Sequence, residues 1–70
     1  MKYFIKLKNY EWAPGSQKKM IYEDEDGKRF MGPASNCMVG ETLIIEASNH
    51  PIDGFYQIIR FIDRLPPSKK

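Results

Sequence analysis

Asp26-Gly27, set within Glu23-Asp24-Glu25-Asp26-Gly27-Lys28-Arg29 and flanked by apolar stretches, is the feature that most constrains this chain. Asp-Gly supplies two residues that tolerate left-handed backbone, so it predicts a tight antiparallel hairpin. With Asp26-Gly27 as a two-residue loop, Glu25 faces Lys28 and Asp24 faces Arg29, and both pairings are opposite in charge. The same acidic run superficially resembles part of a calcium-binding loop. With Gly27 in the glycine position, however, the first and twelfth ligands fall on Tyr22 and Pro33, neither of which offers a carboxylate. The run reads as a hairpin tip, and no metal or other cofactor is expected.

Seventy residues suffice for one small domain, near the size at which a single core must do without redundancy. Cys37 is the only cysteine, so an intrachain disulfide and a cysteine-histidine zinc site are both excluded. Nine aromatic side chains, spread over nearly every predicted element, argue for a packed core rather than disorder. No apolar run approaches the roughly 20 residues that cross a bilayer, and lysines interrupt Met1-Lys2-Tyr3-Phe4-Ile5-Lys6 before a signal-peptide core forms. A cytoplasmic protein without a membrane partner is expected.

Along Lys2–Tyr10, Tyr3, Ile5 and Leu7 alternate with Phe4, Lys6, Lys8 and Tyr10, which predicts a strand with one buried face. Ala13-Pro14-Gly15-Ser16 is a loop, and Lys18–Glu25 with Lys28–Gly32 form the hairpin. Residues 34–39 lack a period and read as a connection with room for a short helical turn. Glu41–Ala47 is β-branched and bounded by turn formers, a strand with Leu43, Ile45 and Ala47 inward.

Residues 55–65 carry two signals. Phe55, Ile58, Ile59, Ile62 and Leu65 fit helical spacing, with Asp53 as a possible N-cap and Pro66 as a stop; the isoleucines and aromatics favour a strand, with Asp53-Gly54 as a hairpin entry. The strand reading gives an all-β fold, a small five-stranded barrel of SH3-like or OB-like type. The helix reading gives an α+β alternative, a C-terminal helix on an antiparallel sheet. Residues 1–65 form the domain, and 66–70 are expected to be a flexible tail.

Groups able to carry covalent or acid–base chemistry are sparse. Cys37 and His50 are the nearest approach to a nucleophile and base, but no signature surrounds either, and the plainer reading is an apolar filler and a loop residue. A non-enzymatic binding domain is expected. The hairpin tip holds four of the nine carboxylates and two of the eleven cations, so the rest of the chain keeps nine cations against five carboxylates. On this count the expected nucleic-acid face contains Phe4, Lys6, Lys8 and Tyr10, with Lys18, Lys19, Arg60 and Arg64 contacting phosphates, since ammonium groups attract phosphate while rings stack on bases.

The competing expectation is a small protein–protein interaction module, such as a regulator or inhibitor of a larger host or phage machine. It would present Trp12, Phe30, Met31, Met38 and Ile52 to a partner's pocket. For Trp12 the sequence also allows a role closing the end of a barrel. An unpaired strand edge on so short a chain further allows a homodimer.

Overall fold

The computed structural model describes residues 1–67. Their five strands are β1 (Lys2–Trp12), β2 (Lys19–Asp24), β3 (Arg29–Pro33), β4 (Thr42–Ala47) and β5 (Tyr56–Leu65). The alternating apolar residues of β1 and β4 face inward as their period requires: Ile5, Leu7, Leu43, Ile45 and Ala47 are all buried. The strands close in the order β1-β2-β3-β5-β4, so the chain is a small five-stranded all-β barrel.

Of the two barrel types expected, this connectivity is the OB-like one. β1 pairs with both β2 and β4, and the barrel closes through a parallel contact between β3 and β5 limited to Phe30↔Tyr56 and Met31↔Gln57. A simple meander would keep every sequential pair adjacent and antiparallel. β1 serves two sheets because of a bulge: Leu7 faces Asp24 and Asn9 faces Glu23, which leaves Lys8 without a partner in the ladder. Residues 2–6 pair with β4, and residues beyond the bend pair with β2.

The core is aromatic at its centre. Tyr22, Phe30, Ile5, Leu7, Leu43 and Ile45 are fully buried, each contributing about 1.5–3 kcal/mol by leaving water. Phe30 stacks on Tyr56 with centroids 5.2 Å apart and meets Tyr3 edge-on at 5.3 Å, while Tyr22 meets Phe61 edge-on at 5.9 Å. The Tyr22 hydroxyl donates to the Pro33 carbonyl at 2.7 Å and also lies 3.3 Å from Ser35 Oγ, so the buried phenol keeps its polar end satisfied. Burial raises its pKa, and the neighbouring Cys37 thiol adds to the effect against the lowering influence of Ser35.

Two expectations are corrected. The β2–β3 loop is not a two-residue turn: Glu23 faces Arg29 and Asp24 closes on Lys28, its amide donating to the Lys28 carbonyl at 3.0 Å. Glu25, Asp26 and Gly27 form a three-residue loop, with only Gly27 left-handed at φ 87°. The Asp24 carboxylate decides this. Its Oδ1 accepts from the Asp26 amide at 3.0 Å and the Lys28 amide at 2.8 Å, contacts that a flush two-residue turn does not offer. The two-residue turn instead occurs at Asp53-Gly54, where both φ are positive, 55° and 87°, and Ile52 and Phe55 exchange backbone hydrogen bonds.

The α+β alternative is also set aside, because no described residue is helical and residues 56–65 are strand. Their helix-like spacing comes from two bulges. Ala47 faces Ile58 while Glu46 faces Arg60, and Ile45 faces Phe61 while Ile44 faces Asp63, so Ile59 and Ile62 are supernumerary. Each extra residue lengthens the interval between inward positions from two to three. Residues 34–41 contain no helical turn. The tail expected at 66–70 falls mainly on residues 68–70, which lie outside the described residues.

Candidate nucleic-acid interface

The bulge at Lys8 divides the face expected on β1. Before it, Phe4 lies opposite Ile44 and Lys6 opposite Thr42, on the outside of the β1–β4–β5 sheet. Beyond it the alternation has shifted by one, and Tyr10 lies opposite the inward residue Tyr22 while Trp12 lies opposite Met20. Phe4 and Lys6 therefore do not share a surface with Tyr10. Asn9 and Glu11 take the outward positions on that part of β1, across from Glu23 and Ile21.

Ion pairing sorts the cations in the same way. Lys6 Nζ stands 4.0 Å from Glu25, and Arg60 Nε donates to Glu46 Oε1 at 2.9 Å. Arg64 projects at the barrel end, where it donates to the Asn36 carbonyl and lies 3.8 Å from Glu41. These exposed pairs add little stability, about 0–1 kcal/mol each, but a carboxylate at each cation offsets its pull on a phosphate. Lys6, Arg60 and Arg64, expected to act together, are thus dispersed and locally neutralised.

Lys8, Lys18 and Lys19 make no ion pair with a described residue. Lys18 and Lys19 sit where the loop after β1 enters β2, held by the Ala34 amide on the Lys18 carbonyl at 3.1 Å and the Ala13 amide on the Lys19 carbonyl at 3.0 Å. The Ser16 hydroxyl accepts from both lysine amides and fixes the turn. Trp12 ends β1 beside them and is 55% exposed, with Tyr10 two residues earlier at 38%. In register with buried Met20 at the end of β1, Trp12 is still more than half exposed.

Sequence reasoning missed Arg29, which it had assigned to a partner across the hairpin. One step of register places Arg29 opposite Glu23 with no ion pair between them, its guanidinium 6.0 Å from the centroid of Phe55 in the β4–β5 connection. Asn9, Tyr10, Glu11, Ile21, Glu23 and Arg29 line a recess of about 170 Å³ on this sheet. The missing signal was the length of the turn, which side-chain hydrogen bonding of Asp24 determines.

Among the residues expected to meet a protein partner, Trp12, Met38 and Ile52 are exposed and Met31 is half-buried. Phe30 is not available: it is fully buried between Tyr3 and Tyr56, as its inward place in β3 requires. Cys37 is buried in the core and His50 is exposed in the β4–β5 connection. No helix among the described residues is long and apolar enough to cross a membrane. Comparison with family models, with curated proteins and with solved structures found no match to this chain.

Proposed function

We propose that this protein is a non-enzymatic binding domain for single-stranded nucleic acid, and that its contact surface is the β1–β2–β3 sheet together with the loop after β1. The observation that carries the reading is a set of unpaired cations on this surface. Lys8, Lys18, Lys19 and Arg29, cations of this sheet and its loop, are free of described carboxylate partners, and Tyr10 and Trp12 of the same part of β1 are exposed. Unpaired cations attract the phosphate chain, and presented rings stack on bases exposed only in a single strand. OB-type barrels offer this side of the fold to oligomeric ligands, an analogy of fold and not of sequence. The unpaired Cys37 thiol suits a reducing, cytoplasmic setting.

A titration of labelled single-stranded and duplex oligonucleotides at several salt concentrations tests this. Single strands bind more tightly than duplex, and Trp12→Ala weakens binding at every salt concentration; absence of binding at low salt overturns the reading.

One observation favours a protein partner instead. The opposite sheet exposes Phe4, Ile59, Ile62 and Leu65, apolar side chains that neither the core nor a nucleic-acid path uses. A protein that binds there is unaffected by Lys18→Glu and Lys19→Glu, and a second copy bound there appears as concentration-dependent sedimentation.

A further inference from the structure

The recess on the β1–β2–β3 sheet has a base-reading composition, and we propose, on the strength of the single-strand reading above, that it is a guanine subsite. Asn9, Glu23 and Arg29 form one row across three strands, each opposite the next in register. The adjoining row is Glu11, Ile21 and Met31. Neighbouring strands lie about 4.8 Å apart, so the first row spans roughly 10 Å, the scale of a purine's long axis. Ile21 faces outward yet is only 6% exposed, which makes it an apolar floor beneath the polar rim. Tyr10 lines the recess from the stretch of β1 between Asn9 and Glu11.

The rim selects among bases by its donors and acceptors. A carboxylate offers only acceptors and a guanidinium only donors. Here Glu23 and Arg29 stand side by side, and neither is consumed by an ion pair with the other. A base that satisfies both presents two adjacent donors next to two adjacent acceptors. Guanine does so, with N1–H and the N2 amino group for Glu23 and with O6 and N7 for Arg29. Adenine presents a single amino group between two acceptors, cytosine a single amino group beside N3, and thymine or uracil a single imide N–H. Each leaves a charged group of the recess with an unmet partner, which costs discrimination rather than merely adding nothing. Glu11 extends the acceptor side of the rim, Asn9 offers its amino group because its Oδ1 accepts from the Tyr10 amide at 2.9 Å, and the carboxylates keep the phosphate chain off the recess and on the lysines.

The test uses the intact protein and fluorescence anisotropy with oligothymidylates carrying one central substitution, at one fixed salt concentration. A central dG tightens binding by about 5- to 150-fold over dT, dA or dC, the range expected of a good bidentate base contact. Replacing that guanine by hypoxanthine removes the N2 amino group, and replacing it by 7-deazaguanine removes N7; each loses part of the gain. Glu23→Gln reduces the ratio of affinities for the dG and dT oligonucleotides. Equal affinity for all four central bases overturns the guanine subsite and leaves the single-strand reading intact. A dG preference that survives both base analogues and Glu23→Gln places the reading of guanine elsewhere and also overturns the assignment. No binding to any oligonucleotide at low salt removes the subsite together with the function it rests on.

Discussion

Gly32 of β3 lies against Ile58 of β5 so closely that a Cβ added to Gly32 would stand 2.6 Å from the Ile58 Cβ. This is the contact through which the barrel closes beyond the short parallel ladder of Phe30 and Met31 with Tyr56 and Gln57. Every residue except glycine would bring a Cβ into a space already filled, and the obstacle is the branch point of Ile58 rather than a rotatable tip.

Gly32→Ala therefore forces β3 and β5 apart and costs about 1–3 kcal/mol, the usual range for overpacking. Urea denaturation reads this as a lower midpoint. Ile58→Ala in the same chain does not rescue it, because alanine keeps the offending Cβ; a double variant as stable as Ile58→Ala alone would refute the explanation.

Asp24→Ala removes the acceptor shared by the Asp26 and Lys28 amides and leaves a tightened loop without its internal support. Hydrogen bonds to a charged acceptor are each worth about 1.5–3 kcal/mol, so a loss of about 2 kcal/mol is expected once water re-solvates the freed amides. Amide exchange at Asp26 and Lys28 accelerates more than in the β1–β4 ladder. Asp24→Asn keeps an acceptor oxygen in place and costs less than the alanine variant.

These two sites also mark where the sequence was legible and where it was not. The inward set Leu43, Ile45 and Ala47 was readable because β4 is a regular strand, and local alternation alone assigns its faces. In β5 the same rule failed at Ile59 and Ile62, since bulges opposite β4 stretch the apolar interval and imitate a helix. The face of Tyr10 failed for the same reason at Lys8. A bulge is decided by long-range pairing and leaves no residue-type mark, so a candidate surface drawn from β1 alone combined residues of two sheets. Charge bias was readable in the composition; which cations are neutralised depends on Glu25, Glu41 and Glu46 meeting them across the fold.

Tyr22 gives stability a pH dependence with a definite sign. Its pKa is raised by burial above the ordinary value of 10.0, so above that pH the unfolded phenol ionises while the folded one holds its proton. The folded state then binds more protons than the unfolded state, and stability falls with rising pH. The contribution is fully present below about pH 10 and is lost as pH rises through the raised folded value. Tyr22→Phe lowers stability near neutrality by about 1 kcal/mol, through loss of the hydroxyl's bond to Pro33, and flattens the decline above pH 10. Urea midpoints for both proteins from pH 7 to 11 check this; parallel declines would show that other groups carry the alkaline loss.

The sorting of cations by ion pairing predicts an asymmetric response of binding to salt. Each lysine that neutralises a phosphate of a single strand contributes roughly 0.7 to the slope of log K against log salt. Lys18→Gln with Lys19→Gln should therefore lower the magnitude of that slope by about 1.4. Lys6→Gln with Arg60→Gln removes the same formal charge from side chains already matched by Glu25 and Glu46, and should leave the slope nearly unchanged. Trp12→Ala behaves differently from both: loss of a stacked base costs about 1–3 kcal/mol of affinity with no change in slope. Because the two double variants alter net charge equally, equal slopes for them would attribute binding to overall charge and remove the β1–β2–β3 sheet as its location.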